Sequence, residues 1–215
     1  MNRLGVILKD GVILFAVSTV LVVCVDQGFS LLKGKSAKDD PLVTAIVQGK
    51  TEELENLAEG GAGVTGRKDD QGRTALMRAA YVNLDGAELL ATADIERAEM
   101  VVLLVGRGAP VNAVDNDGWS ALMWASWSGL NEVASRLLES GANPTLADRQ
   151  GNTALTIAAG RGNAGIVSSL LSKGADPDMT TKSGKTALDL AKTGLMEYPG
   201  KKGAYDQVIS LLDGR

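Results

Sequence analysis

The chain has 215 residues, with 22 Lys/Arg, 26 Asp/Glu and no histidine. The lack of histidine removes the commonest general base near neutral pH and every triad or metal site that needs an imidazole. A single cysteine, Cys24, excludes an internal disulfide and a zinc site of cysteine ligands. Residues 39–215 hold 17 Lys/Arg against 24 Asp/Glu, a net charge of −7. That sign is opposite to the one expected for nucleic-acid binding.

An uncharged apolar segment, residues 11–25 (GVILFAVSTVLVVCV), follows Arg3 and Lys9. Its length suits a secretory signal and is short for a membrane span of about 20 residues. No small-residue cleavage site follows it, so a signal anchor is favoured over a cleaved signal peptide in residues 1–30, with a linker at residues 31–38. Flanking positive charges are nearly balanced, but a short N-terminal tail usually stays inside. We therefore predict a single pass in the cytoplasmic membrane with the rest of the chain in a bacterial periplasm; the alternative is a secreted or periplasmic protein after cleavage.

The pattern Gly-x-Ser/Thr-Ala-Leu recurs along the rest of the chain. Its glycines are separated by 46, 33 and 33 residues and are Gly72, Gly118, Gly151 and Gly184. Each copy starts an apolar helix and is followed by a second, leucine-rich one. Three of these second helices are predicted to end at glycines in the left-handed conformation: Gly108, Gly141 and Gly174. A degenerate first copy has Pro41 and Leu42 in the Ala-Leu place.

Gly160, Gly162 and Gly165 have the spacing of a dinucleotide-binding fingerprint. That fingerprint needs a buried strand before its first glycine. The preceding residues 151–159 (GNTALTIAA) instead have helical spacing, with Thr153 as a candidate N-cap. We therefore predict that Gly160 and Gly162 form a tight turn between two helices and that no NAD or FAD binds.

These linked motifs resemble the ankyrin repeat, a unit of about 33 residues with a β-turn, a Thr-Pro-Leu-His-x-Ala helix start and two antiparallel helices. The resemblance implies an all-α solenoid in which stacked units bury a continuous core. It covers residues 39–213, in units at 39–69, 70–114, 115–147, 148–180 and 181–213. Ala replaces the family's Pro in the four clear copies. Its His, which joins hydrogen bonds between loops in the family, is replaced by Met77, Met123, Thr156 and Asp189.

Two insertions, residues 83–97 and 196–203, depart from this period. Residues 87–100 are helix-prone and are expected to lengthen the second helix of their unit. Insertions on one face often build a second contact surface, although a tolerated excursion is an equal alternative. An alternative function places enzyme chemistry in the first insertion. Its candidate groups are Asp85, Glu88, Asp94 and Glu96, which solvated helix carboxylates also explain.

In the ankyrin family, partners lie across a concave surface formed by the turn tips and the outward positions of each first helix. The corresponding positions here are Gln71, Arg73, Tyr81, Val82, Asn116, Asp117, Trp119, Trp127, Ser128, Arg149, Gln150, Asn152, Arg161, Lys182, Ser183 and Lys185. We select as protein-binding residues Arg73, Tyr81, Asn116, Trp119, Trp127, Arg149, Asn152 and Arg161.

The most specific prediction concerns the tryptophans. Trp119 and Trp127 are expected to face solvent beside arginine, which is the composition of interface hot spots. A self-packed aromatic pair is the alternative. Trp124 takes the place of a packing leucine and is expected in the core.

These observations predict a non-catalytic protein-interaction module, tethered at a membrane through residues 11–25, that acts as an adaptor or accessory subunit of a complex. No cofactor, metal or small-molecule substrate is expected, and the partner is another protein. The alternatives are a self-assembling scaffold and an accessory lobe of an enzyme.

Overall fold

A computed structural model describes residues 40–81 and 87–214, apart from the side chains of residue 62 and residues 87–93. Pro41–Arg215 forms one compact unit. The predicted hydrophobic helix at residues 11–25, the linker at residues 31–38 and Val82 lie outside the described residues. Within those residues, no helix combines the length and the apolarity needed to cross a membrane.

The described part of the chain is helical, with two isolated β-bridges at the turn tips. Short 3-10 turns cover Ala58–Gly60 and Pro199–Lys201. The helices are α1 Pro41–Val47, α2 Thr51–Leu57, α3 Ala62–Thr65, α4 Ala75–Ala79, α5 Ala87–Gly106, α6 Ala121–Ser128, α7 Asn131–Glu139, α8 Ala154–Arg161, α9 Ala164–Ser172, α10 Ala187–Glu197 and α11 Lys202–Asp213. The predicted all-α array is therefore present.

The helices stack in two layers. One layer contains the first helix of each unit, in the order α1, α4, α6, α8, α10, and the other contains the second helices, in the order α2, α5, α7, α9, α11. Leucines near the middle of the array are fully buried between the layers: Leu76, Leu104, Leu122, Leu137, Leu155 and Leu170. Each unit contacts chiefly its neighbours, so the core is continuous along the array.

The repeated motif acts as a helix-start signal. In four units the hydroxyl of its Ser or Thr is the N-cap acceptor for a backbone N–H three residues later, at Thr74, Ser120, Thr153 and Thr186. This confirms the prediction for Thr153. Thr156 and Asp189, which replace the family's His, complete these caps by accepting a hydrogen bond from the N-cap backbone N–H. Met77 and Met123 are buried in the core instead.

A backbone hydrogen-bond ladder joins the turn tips. The N–H of Asn116 donates to the carbonyl of Gln71 at 2.9 Å. The N–H of Arg149 donates to the backbone carbonyl of Asp117 at 3.1 Å, and that of Lys182 donates to the backbone carbonyl of Gln150 at 2.8 Å. Successive tips are thus held against each other.

The three glycines of the apparent fingerprint are packing sites. Gly160 lies inside α8, so the prediction that it belongs to the turn is wrong. Gly162 ends α8 with φ 76°, and a Cβ on it would lie 3.2 Å from the ring of Tyr205. The Tyr205 hydroxyl donates to the carbonyl of Gly160 at 3.0 Å. A Cβ on Gly165 would lie 2.6 Å from Oδ1 of Asn131, so neighbouring units fill the space that these glycines leave.

The two insertions extend the helices beside them. α5 runs without interruption from Ala87 to Gly106, which confirms that residues 87–100 lengthen a second helix. Residues 196–203 complete α10, form the turn Pro199–Lys201 and begin α11. Gly108, Gly141 and Gly174 have φ of 81°, 86° and 83°, as predicted for left-handed residues after a helix.

Candidate functional site

Three tryptophans and a tyrosine form one aromatic cluster, which we define as Tyr81, Trp119, Trp124 and Trp127. The ring centroids of Trp119 and Trp124 are 4.7 Å apart. Trp119 meets Trp127 at 5.9 Å, and Tyr81 meets Trp124 at 5.1 Å, both edge to face. Such pairs each contribute about 0.5–1.5 kcal/mol beyond their buried area. The cluster therefore holds the end of α4 against α6.

An arginine lies over each end of the aromatic cluster. The guanidinium carbon of Arg73 is 5.5 Å from the Trp124 ring centroid, and that of Arg161 is 4.2 Å from the Trp127 centroid. Both distances lie within the range of a cation–π interaction. Arg73 comes from the unit before α6 and Arg161 from the unit after it, so the cluster connects three successive units.

The structure corrects the exposure expected of two tryptophans. Trp119 is only 8% exposed because its ring lies between Trp124 and Trp127, so its predicted solvent-facing position is wrong. Trp124 is half-buried, not in the core, and its Nε1 donates to Oδ2 of Asp115 at 3.1 Å. The self-packed pair is therefore present, and Trp127 is half-buried.

Asp115 organises the buried side of the aromatic cluster. Its Oδ1 accepts the backbone N–H groups of Asp117 at 3.0 Å and Trp119 at 2.8 Å. Its Oδ2 accepts from Trp124 and lies 4.0 Å from Nε of Arg73. Burial raises the pKa of the Asp115 carboxyl, while these hydrogen bonds and the arginine act to lower it. One carboxylate thus fixes both the turn and the cluster.

Arg73 was expected at the surface and is 6% exposed, which is a second correction. Burial lowers the pKa of its guanidinium, and the neighbouring cation Arg78 lowers it further. Nε and Nη1 of Arg73 are buried without a hydrogen-bond partner among the described residues. The carboxylates of Asp69, Asp115 and Asp117 act in the opposite direction on this pKa, and the Trp124 ring adds a cation–π contact.

Two family models match this part of the chain. One, described as ankyrin repeats (3 copies), matches residues 89–148, and the other, described as ankyrin repeats (many copies), matches residues 137–191. The chain therefore contains ankyrin repeats over residues 89–191. No curated protein matches the sequence significantly. The matched residues contain all three tryptophans and Arg161.

The remaining selected residues of this ankyrin-repeat protein divide into two groups. The first group bonds to the turn tips. Nδ2 of Asn116 donates to the carbonyl of Asp70 in the preceding tip at 3.0 Å, and Nδ2 of Asn152 donates to Oδ2 of Asp148 in its own tip at 2.9 Å. Arg149 is exposed, and Tyr81 and Arg161 are half-buried. Their part in binding stays a prediction.

Among the candidate carboxylates of the first insertion, Asp94 has a structural role. Asp94 accepts the backbone N–H groups of Glu132 at 2.9 Å and Val133 at 3.0 Å. It therefore caps α7, whose own N-cap residue provides no side-chain acceptor. Asp85 and the side chain of Glu88 lie outside the described residues, and Glu96 is exposed. Among described residues, no three His, Cys, Asp or Glu gather into a metal site.

A signal for Asp115 was present in the sequence. Asp69, Asp115 and Asp148 each stand three residues before the glycine of the repeated motif. All three accept the backbone N–H groups two and four residues ahead. No comparable pattern marks Asp94, because its partners are 38 and 39 residues away.

Proposed function

We propose that this ankyrin-repeat protein is a non-catalytic module that binds another protein, as an adaptor or accessory subunit of a complex. Ankyrin repeats generally serve protein–protein interaction and are usually non-catalytic. The observation that carries the proposal is half-buried Trp127 with Arg161 stacked over its ring at 4.2 Å. Tryptophan and arginine are the residues most enriched among interface hot spots.

The mechanism is passive. Side-chain bonds within the turn tips and the backbone ladder between them hold the surface in one conformation before a partner arrives. A surface that is already ordered loses little conformational entropy on binding. Residues 11–25 tether the repeats to the cytoplasmic membrane and raise their local concentration there. The repeats lie in the periplasm.

The recognition surface is tested with full-length protein solubilised from its native membranes. We expect the double variant Trp127→Ala, Arg161→Ala to lose most of the partner that the wild type retains in a pull-down. Met196→Ala is the matched control, because Met196 is 82% exposed and lies in the last unit. Unchanged recovery with the double variant would show that this surface does not bind.

The tether is tested by comparing the full-length chain with one that begins at Ser36. Capture of the same partner by both would assign recognition to the repeats and localisation to residues 11–25. Capture by the full-length chain alone would make the apolar segment part of the interface.

The orientation of the repeats is tested separately by cysteine labelling. If the repeats lie in the periplasm, we expect a membrane-impermeant maleimide to label Lys173→Cys, in a Cys24→Ser background, in intact spheroplasts.

A self-assembling scaffold is the second candidate, and one observation favours it. Ile95 and Val102 lie seven residues apart on α5 and are 59% and 51% exposed. This spacing places them on the same face of the helix. Light scattering would reveal assembly of the wild type and its loss in Ile95→Ser, Val102→Ser.

A further inference from the structure

The turn tips change charge along the array. We define the turn-tip face as residues 69–73, 115–119, 148–152 and 181–185 together with the outward side of α8. The tip segments carry net charges of −2 in the third unit, 0 in the fourth and +2 in the fifth. The C-terminal half of this face is thus basic in a domain that is acidic as a whole.

Four cations supply this basic character: Arg149, Arg161, Lys182 and Lys185. None of their side chains has a carboxylate within ion-pair distance or makes a hydrogen bond among the described residues. Arg161 stacks on the Trp127 ring. Asp189, the next acid along the chain, accepts hydrogen bonds from the backbone N–H and the hydroxyl of Thr186, and Lys185 interacts with it only beyond ion-pair distance.

Four other arginines of the described chain are compensated internally, whereas exposed Arg67 makes no side-chain ion pair or hydrogen bond among the described residues. Arg78, Arg107 and Arg136 form ion pairs with carboxylates, and Arg97 donates to the carbonyls of Arg78 and Ala79. The four cations of this half of the turn-tip face therefore have no carboxylate within ion-pair distance among the described residues, and one of them, Arg161, stacks on half-buried Trp127. This arrangement is the charge complement of an anionic partner.

We propose that the partner presents an acidic segment to this half of the turn-tip face, an inference that rests on the proposed function. A carboxylate of the segment pairs with Arg161, whose guanidinium is oriented by Trp127 and can donate two parallel hydrogen bonds. An apolar side chain next to that carboxylate packs on the exposed part of the Trp127 ring.

The dimensions of α8 set the length of the segment. The ladder bond from Lys182 to Gln150 places the fourth and fifth tips side by side, near the N-terminal end of α8, and Arg161 ends that helix. Eight helical residues span about 12 Å, which an extended chain covers in about four residues. The segment carries a second carboxylate at that separation, facing Arg149, Lys182 and Lys185.

The test is a selection of random 16-residue peptides on phage against the full-length protein in detergent. The wild type is expected to enrich peptides that carry two acidic residues, Asp or Glu, about four positions apart. An apolar residue is expected next to one of them. Anisotropy titration of the best synthetic peptide is expected to show at least about tenfold weaker binding to Arg149→Glu, Lys182→Glu, Lys185→Glu. A control variant makes the same charge change at exposed lysines outside this face: Lys173→Glu, Lys192→Glu, Lys201→Glu. Its affinity for the peptide is expected to lie within about twofold of the wild-type affinity.

Other outcomes overturn the inference. If enriched peptides are neutral or basic, or if the triple reversal at the tips has no effect while Trp127→Ala abolishes binding, the acidic partner is wrong and the docking function stands. If no peptide is enriched, or none depends on Trp127 or the tip cations, both are wrong. Tighter binding of single-stranded DNA or phosphatidylglycerol vesicles through the same cations would replace the protein partner with another class of anion.

Discussion

At the scale of single residues, Asp115 connects a turn, an indole and a buried cation. Asp115→Ala would remove the acceptor of three hydrogen bonds and the ion-pair partner of buried Arg73. We expect a loss of about 3 kcal/mol in the free energy of unfolding. Asp148→Ala is the control, since Asp148 makes the same turn without a buried arginine, and should cost about 1.5 kcal/mol. Urea unfolding followed by circular dichroism measures both; equal losses would show that the ion pair between Asp115 and Arg73 adds no stability.

Asp189 predicts a dependence on acid pH. Hydrogen bonds from the backbone N–H and the hydroxyl of Thr186 lower the pKa of the Asp189 carboxyl below its usual value of about 3.9. Because the folded state favours the ionised form, the stabilisation is complete above that value and is lost as pH falls toward the folded-state pKa. Asp189→Asn keeps an acceptor and cannot titrate. The stability of the wild type relative to this variant should therefore fall below about pH 4, and parallel pH profiles would contradict this.

At the scale of secondary-structure elements, one unit completes the helix of the next. Asp94→Ala would leave two N–H groups at the start of α7 without their acceptor and should lower the free energy of unfolding by about 1 kcal/mol. Glu99→Ala, an exposed change on the same helix, should have little effect. Thermal melts of both variants measure the difference. Equal melting temperatures would show that solvent replaces Asp94.

The end of α8 offers a second test of contact between units. Gly162→Ala introduces a side chain at positive φ and 3.2 Å from the ring of Tyr205, whereas Gly174→Ala meets a similar φ with no atom within 4 Å. The backbone penalty of about 1–2 kcal/mol is common to both. We therefore expect Gly162→Ala to be the more destabilising in urea unfolding. If the two are equal, Tyr205 moves aside freely.

The sequence predicts a structural feature well when the residues that determine it are neighbours along the chain. Thr153 and the glycines after each second helix act on neighbouring residues, so their roles follow from motif and spacing. Trp119 was expected in solvent because its burial depends on two rings brought to it by the folding of α6. The burial of Arg73 was not predicted because its ion-pair partner, Asp115, lies in the next unit, 42 positions along the chain. Contacts that depend on the folding of a whole helix or on a neighbouring unit have no signature in the spacing of one motif.

At the scale of the whole molecule, stability should be graded along the array. The third and fourth units have neighbours on both sides, whereas α10 and α11 stack on one neighbouring unit in the described chain. Because stability in such arrays is a sum of nearest-neighbour terms, opening should begin at an end. Native-state hydrogen exchange should find stronger protection in α6 and α8 than in α10 and α11. Uniform protection would indicate that the array opens as one unit.

The grouping of the indoles also makes the protein its own optical reporter. All three tryptophans of the chain lie in the aromatic cluster, so intrinsic fluorescence observes the third unit and the two that touch it. Melting confined to the last unit leaves the emission spectrum nearly unchanged while circular dichroism falls. A ligand that covers Trp127 shifts the emission without any change in helix content. Comparison of the two signals therefore distinguishes fraying, global unfolding and docking in a sample that carries no label.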